Sequence, residues 1–471
     1  RLEMTHQDAI KGALVHLWKP MLMTTVTTAI GFLSLAYTEI AFIKEFGCFV
    51  ALGVIYAYIL TISFLPAIMG SLKTKNDKKQ SRTPGFVDKT INKLVSLNAN
   101  LVLSHHKLLS IAALLILMPI GYAISSLQVN NEMIGYFDEE SRLYQDNDVI
   151  EEYFAGAVMV EFMLTANEVD YFKTPQSLKT LEKLESKLLS LPHVNAVYGL
   201  PDYLRLINRA ITDGSEENYR IPYENPALIP QYYFLYESSN GDDIYSVIDG
   251  RYQKSRLIAF VDSDLASDMD NIIAGFLDYV ESDTDGQITV AASGFGNLLV
   301  NTRNEVISSQ MMSLGISLIG ICLLLSILFK SVVVGLVGTI PLVFTVLINF
   351  SCMSVMGLFL DVGTAIVAPI AIGVGVDYAI YFLNAVKRKQ QHYNDIDKTI
   401  REALKELYRP IGFNTIVLGF GFLVLNLSSH ESLIHLGMLI SSTMFFSAII
   451  TLTLLPAIIK GFGLFPNKQQ Q

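Results

Sequence analysis

In the stretch GVGVDYAIYFLNAVKR, residues 373–388, an aspartate interrupts an apolar run that begins near Val362 and is long enough to cross a bilayer. A carboxylate in hydrocarbon costs several kcal/mol, so it persists where it faces a protein interior and has a partner. The chemistry open to Asp377 in such a place is reversible proton binding, which is what a relay requires. It lies about ten residues before Lys387, roughly 15 Å at the helical rise, and so in the half of the span nearer the basic residues. On a helix Gly373, Asp377, Tyr381 and Asn384 share one face, with Tyr378 about 100° round, so the acid belongs to a polar stripe. Gly373 and Gly375 thin the same helix for the close approach of a neighbour. The plainer alternative for Asp377 is a buried hydrogen bond that only fixes helix packing.

Other polar side chains inside apolar runs are Thr24, Thr25, Asn349, Asn414 and Thr415. Thr25 and Thr415 stand near the cytoplasmic span ends, where they would complete a water or proton path; back-bonding within their own helices accounts for them equally well. No Ser/His/Asp, metal or phosphate-loop constellation accompanies them, and GFG at 294–296 is too short a signal for a nucleotide site. Cys48, Cys322 and Cys352 all lie in apolar runs and read as buried small hydrophobes, not as a disulfide framework or zinc site.

The elements that must hold this stripe are membrane spans. With 51% hydrophobic and 17% charged residues and a mean hydropathy of +0.41, the chain is too apolar for an ordinary soluble protein. Eight apolar runs approach the length needed to span hydrocarbon: 21–38, 45–69, 108–127, 311–329, 332–356, 362–386, 411–428 and 433–459. Lys73, Lys75, Lys78, Lys79 and Arg82 fill one loop and Lys387, Arg388, Lys389, Lys398 and Arg401 another, which places both in the cytoplasm. The long segment 128–305, on the opposite side, holds 31 acidic against 12 basic residues, a net −19. The remaining residues carry +9, and nothing here has the footprint of a nucleic-acid binder.

An internal repeat organises the spans. Residues 10–68 align without a gap on residues 400–458, an offset of 390, with 17 identities in 59 pairs that include Pro20 with Pro410, Gly31 with Gly421 and Pro66 with Pro456. Residues 82–471 then form one complete repeat and residues 1–81 the tail of a preceding one, so roughly 310 residues are expected upstream, with twelve spans and two outer domains in the whole protein. The opening at Arg1, with no initiator Met or signal peptide, fits a chain entered partway through. The two halves share one orientation, as in a parallel repeat about the membrane normal. The predicted organisation is a cytoplasmic amphipathic helix over 1–20, two spans over 21–69, a linker over 70–107, a span over 108–127, an outer domain over 128–305 and three spans over 306–386. A second amphipathic helix over 387–410, two spans over 411–460 and a tail over 461–471 complete it.

In the outer segment the apolar period alternates between two and 3.6 residues, which predicts strands near 157–165, 193–199, 254–262 and 286–293 separated by helices. Two βαβ-like units in one module suggest a ferredoxin-like α+β sandwich. The insert over 200–250 reads as a long connection or lid, whose Tyr219, Tyr223, Tyr232, Tyr233, Phe234 and Tyr236 either line a greasy groove or pack down on the domain.

The GVGVDYAIYF element, the repeated RP and LP pairs, the twin-half layout and the large outer module resemble the resistance-nodulation-division (RND) superfamily of proton-driven exporters, and within it the MMPL branch of lipid and amphiphile exporters. The resemblance covers the whole chain. It implies a polytopic α-helical membrane protein with an extracytoplasmic porter-type α+β domain, in the bacterial inner membrane. It also implies that Asp377 is the proton-titrating carboxylate and that Tyr378 pairs with an Asp of the other half, while Asp377 meets a Tyr from it. The histidine that often stands in that branch near the position of Tyr381 is missing, and the paired Asp and Lys of drug-efflux members are absent.

The function expected is proton-motive export of lipids or other amphiphiles, without an enzymatic step and with protons as the only cofactor. Expected partners are the amphiphile, the membrane, a first half or separate chain that supplies it, and an oligomer or a periplasmic accessory protein. Two rival readings are a sterol-sensing-like lipid-binding protein and a protein-translocation helper of the same superfamily.

Overall fold

The computed structural model describes residues 6–71, 86–130, 134–138, 140–238, 242–283, 286–393 and 395–464. The basic loop of Lys73, Lys75, Lys78, Lys79 and Arg82 lies outside the described residues, as do residues 1–5 and 465–471 of the terminal segments.

In chain order the elements are helices α1 (His6–Leu33), α2 (Ala41–Ser71), α3 (Phe86–Ser104), α4 (His106–Ser125) and α5 (Arg142–Tyr153). Strand β1 (Val158–Ala166), α6 (Pro175–Leu189), β2 (Val194–Tyr198), α7 (Leu200–Ile211) and α8 (Leu228–Ser238) follow. Then come β3 (Lys254–Val261), α9 (Ala266–Asp283), β4 (Ile288–Ser293), α10 (Gly294–Phe329), α11 (Val332–Val355), α12 (Val367–Gln390), α13 (Ile396–Leu423) and α14 (Glu431–Gly461). The chain divides into two compact units, one of residues Arg1–Val129 with Glu305–Gln471 and the other of Asn130–Asn304.

In the first unit, helices α1, α2, α4 and α10 to α14 each supply a stretch long and apolar enough to cross a membrane. Helices suit such runs because all their backbone groups bond internally. The chain is thus a polytopic helical membrane protein, with eight candidate spans among the described residues. Helix α12 is its centre: 78% of its most apolar window is buried, against 6% for α2 and α4. Asn349 of α11 donates to Leu439 O (3.1 Å) and Thr443 Oγ1 (2.8 Å) of α14, so this intramembrane amide joins two helices.

Two boundaries differ from those expected. The amphipathic segments 1–20 and 387–410 do not end at their prolines; α1 runs on through Pro20 and α13 through Pro410. Proline suits a first helical turn, but in a packed membrane helix neighbours compensate for the one lost bond and the helix continues. The expected linker 70–107 contains α3, which buries Val95, Ala99, Val102 and Leu103. Asn98 Nδ2 donates to Leu452 O (3.0 Å), Arg401 to Asn100 Oδ1 (2.9 Å) and Lys460 Nζ to Leu103 O (2.9 Å), which ties α3 to α13 and α14.

The elements of residues 6–71 recur 390 positions later with the same bounds: α1 against α13, the 3-10 turn Ser34–Tyr37 against Val424–Leu427, and α2 against α14. Packing recurs with them. A Cβ on Gly47 would fall 2.5 Å from Phe32 O and 2.7 Å from Leu35 Cβ, and one on Gly437 2.6 Å from Phe422 O and 2.8 Å from Leu425 Cβ.

The second unit is built on a four-stranded antiparallel sheet of order β2-β3-β1-β4. The strands of each βαβ-like unit are not neighbours, since β3 lies between β1 and β2, and β1 between β3 and β4. Val158, Val160, Phe162, Leu164 and Ala166 alternate into the core, where Phe162 meets Phe276 of α9 at 4.4 Å between centroids. Leu178, Leu181, Leu184 and Leu188 of α6 are buried beside them. Most aromatics of the insert pack down: Tyr232 donates to Asn208 Oδ1 (2.7 Å), Tyr233 to Phe172 O (3.0 Å) and Tyr223 to Glu182 Oε2 (2.6 Å), while Phe234 stays exposed. Beneath them Arg205 bonds both oxygens of Glu185 (2.9 Å each), Glu182 (3.0 Å) and Asp202 (3.1 Å). Burial holds the Glu185 carboxyl above the usual carboxylate range despite the guanidinium.

Two stability outcomes follow. Arg205→Met takes the guanidinium from two buried carboxylates, Glu185 and Asp202, and from the half-buried Glu182, and should destabilise the sheet unit by about 3 to 5 kcal/mol, seen as a lowered midpoint in thermal unfolding of the purified chain; an unchanged midpoint would remove Arg205 from the scaffold. Gly437→Ala should cost about 1 to 3 kcal/mol by overpacking. Its control Gly421→Ala, with nothing within 4 Å, should be neutral or better.

Candidate functional site

Helix α12 presents Asp377, Tyr378 and Tyr381 to one cavity of about 590 Å³. The opposite walls are Pro20 and Met21 of α1 and Glu406, Leu407, Pro410, Ile411 and Asn414 of α13. Asp377 Oδ1 is buried with no hydrogen-bond partner among the described residues. Tyr378 is fully buried, its Oη accepting from Asn414 Nδ2 (3.4 Å) and lying 3.1 Å from Thr415 Oγ1, which is itself 2.8 Å from Ile411 O. Tyr381 lies against the side chain of Thr24. At the basic end of α12, Glu406 pairs with Arg388 and with Lys389 Nζ (3.0 Å).

Close helix contact makes this arrangement. A Cβ on Gly31 of α1 would sit 3.2 Å from both Gly373 Cα and Pro369 O of α12, and Thr28 Oγ1 donates to Gly373 O (2.8 Å). Small residues let two backbones meet at this separation. Gly375 faces α14, where Ser447 Oγ donates to its carbonyl (3.3 Å). The two glycines therefore serve two different neighbours.

Of the residues singled out in the sequence, Asp377, Tyr378, Tyr381 and Asn414 meet at one cavity, and Thr415 joins them through Tyr378. Asn384 is not on its wall, and its Nδ2 is buried without a partner among the described residues. Thr25 is not on the wall either; its hydroxyl turns back to Met21 O (2.9 Å). Thr24, one residue earlier, also turns its hydroxyl back to Met21 O (2.9 Å) and is not on the wall, but its side chain lies beside Tyr381. The 390-residue offset carried the signal for this, because it pairs Thr24 with Asn414, Pro20 with Pro410 and Met21 with Ile411. Helix α1 thus supplies part of the wall beside Asp377. Among the described residues no group of three or more His, Cys, Asp or Glu side chains is arranged to hold a metal.

An acid with a buried oxygen on the central helix of a polytopic bundle, flanked by hydroxyls and an amide, marks a membrane protein with a carboxyl at an intramembrane cavity. The MMPL family profile matches residues 1–87 and 258–471, well over half of the sequence, and the chain belongs to the MMPL family. It is similar to the membrane protein MJ1562 of Methanocaldococcus jannaschii, 28% identical over 151 residues, which are 32% of this chain and 39% of that one. Among solved structures, the hedgehog release protein Disp of the water bear Hypsibius dujardini shares the fold, with a TM-score of 0.63 at 14% identity, over 96% of this chain and 59% of that chain. The chain thus spans less than two thirds of either relative.

Tyr378→Phe removes the hydroxyl to which Asn414 donates, and should lower stability by about 1 to 2 kcal/mol. Thermal unfolding of the variant checks this, and Thr415→Val combined with Tyr378→Phe should cost less than the sum of the two singles, because they share one bond.

Proposed function

We propose that this chain is part of a proton-motive-force-driven exporter of lipids or other amphiphiles in a bacterial cytoplasmic membrane. The observation that carries the reading is Asp377 itself, a carboxyl with a buried oxygen that has no partner among the described residues, on the wall of a 590 Å³ cavity in the most buried span. Such a group is retained against its desolvation cost where binding and losing a proton changes something. Membership in the MMPL family supports the same reading. Protonation neutralises Asp377 and favours tighter packing of α1 and α13 on α12; deprotonation favours water in the cavity and their separation. Tyr378 acts as the hydroxyl partner of the relay and Asn414, Thr415, Thr24 and Tyr381 as its polar surroundings. Protons are the coupling ion, and no other cofactor takes part.

The matched element bounds and glycine contacts at the 390-residue offset support a duplicated hairpin. In a twin-half arrangement Asp377 meets a Tyr, and Tyr378 an Asp, from a first half or a separate chain. The strand order β2-β3-β1-β4 with α6 and α9 as connections supports a ferredoxin-like porter module that hands the amphiphile onward, with an oligomer or periplasmic accessory protein receiving it.

Asp377→Asn keeps the shape and removes the titration. In the intact protein, reconstituted with a pH-sensitive dye inside the vesicles, it should abolish proton flux and lipid export together while the protein still folds. Export that survives the substitution would reduce Asp377 to a packing residue and favour the sterol-sensing-like reading; flux that disappears while unfolded polypeptide is captured would favour the translocation helper.

A further inference from the structure

The cavity of Asp377 has a second carboxyl on its wall, Glu406 of α13. Asn414 lines the same wall two helical turns later, about 12 Å along α13 and beside Tyr378. The cavity thus runs from the buried Tyr378 hydroxyl to an end where the Glu406 side chain is 36% exposed. That end is basic. Arg388 and Lys389 of α12 both bond Glu406, Lys389 Nζ at 3.0 Å, while Lys387 turns away over the Phe329 ring of α10 (5.2 Å). On α13 itself Lys405 is paired with Glu402 (2.7 Å), and the α1 wall, Pro20 and Met21, is uncharged. The Glu406 carboxylate therefore faces both the two cations and the cavity.

Ion pairs with partners this exposed, 53% for Arg388 and 28% for Lys389, add little to helix packing. The repeat places His16 at the equivalent position of α1, so the duplicated hairpin does not call for an acid there. What the carboxylate changes is the field. Two cations at the rim of a narrow cavity with low-dielectric walls repel any other cation, and a proton is one. We propose that Glu406 sets cation access to Asp377: its charge cancels that of Arg388 and Lys389 at the rim, so that protons pass between the basic side and the acid. Glu406 acts through its charge and takes no proton itself. Resting on the reading of Asp377 as the proton-exchanging acid, this role concerns access alone and is measured without a proton gradient.

The test uses the full chain in lipid nanodiscs at low ionic strength, treated with a water-soluble carbodiimide that carries a quaternary ammonium and, in parallel, with neutral dicyclohexylcarbodiimide. Peptide mass spectrometry follows the adduct at Asp377, and the readout is the ratio of cationic to neutral rates, in which any change in the protonation of Asp377 cancels. Glu406→Gln should lower this ratio about tenfold. Arg388→Gln with Lys389→Gln should raise it by a similar factor, and the three substitutions together should return it to the wild-type value. High salt should erase these differences. A latch that only holds α12 to α13 gives another pattern, because cutting the pair from either side then moves the ratio in the same direction. That pattern, a ratio unmoved by Glu406→Gln, or no cationic adduct at Asp377 in the wild-type chain overturns the proposal. Gel filtration checks assembly; if Glu406→Gln is misassembled, Arg388→Gln with Lys389→Gln carries the test, and a ratio that fails to rise overturns it. Proton flux in Asp377→Asn decides the export reading separately, since that reading can fail while charge-dependent access to Asp377 stands.

Discussion

The membrane unit is arranged around the cost of keeping one carboxyl away from water. An acid in hydrocarbon must be enclosed by protein, and enclosing it requires neighbours that approach the helix carrying it more closely than ordinary side chains permit. Gly31 against Gly373 brings α1 in on one side, and Ser447 on the Gly375 carbonyl holds α14 on another. Helix α13 closes the remaining face through Asn414 and Thr415. Remove the glycine contact and α1 moves outward, which opens Asp377 to its surroundings and dissolves the cavity.

The polar side chains of the interior divide into two kinds by what they touch. Asn349, Ser447 and Asn98 bond backbone carbonyls of neighbouring helices, and so staple the bundle in the manner open to membrane proteins, where burial of apolar surface gives little net attraction between helices. Asp377, Tyr378 and Asn414 instead gather at a cavity. The first group resists rearrangement. The second has room to change partners.

Much of this was legible in the sequence, and the reasons for the remainder are physical. Spans are readable because a run of apolar residues long enough to cross hydrocarbon has few other uses, and the four strands lie within a few residues of where the alternation puts them. The continuity of α1 and α13 was not readable, because a proline in the first turn and one inside a packed membrane helix look the same until the neighbours are known. Helix α3 was hidden because polar residues interrupt its apolar ones before they make a run of spanning length, although Val95, Ala99, Val102 and Leu103 already carry a helical spacing. At the site, Asp377 and Tyr378 announced themselves by type, whereas choosing Thr24 over Thr25 turns on a rotation of 100°, which residue identity does not encode.

The prolines have a consequence for how the bundle transmits force. Pro20 and Pro410 sit inside long helices and both line the cavity of Asp377. Each leaves one main-chain carbonyl without its usual donor, so each helix is least stiff at that turn. A load applied at either end of α1 or α13 is taken up as bending at the level of the carboxyl, in preference to tilting of the whole rod. The two flanking helices are therefore jointed rods whose pivots lie at the level of the carboxyl, where the frame is most compliant.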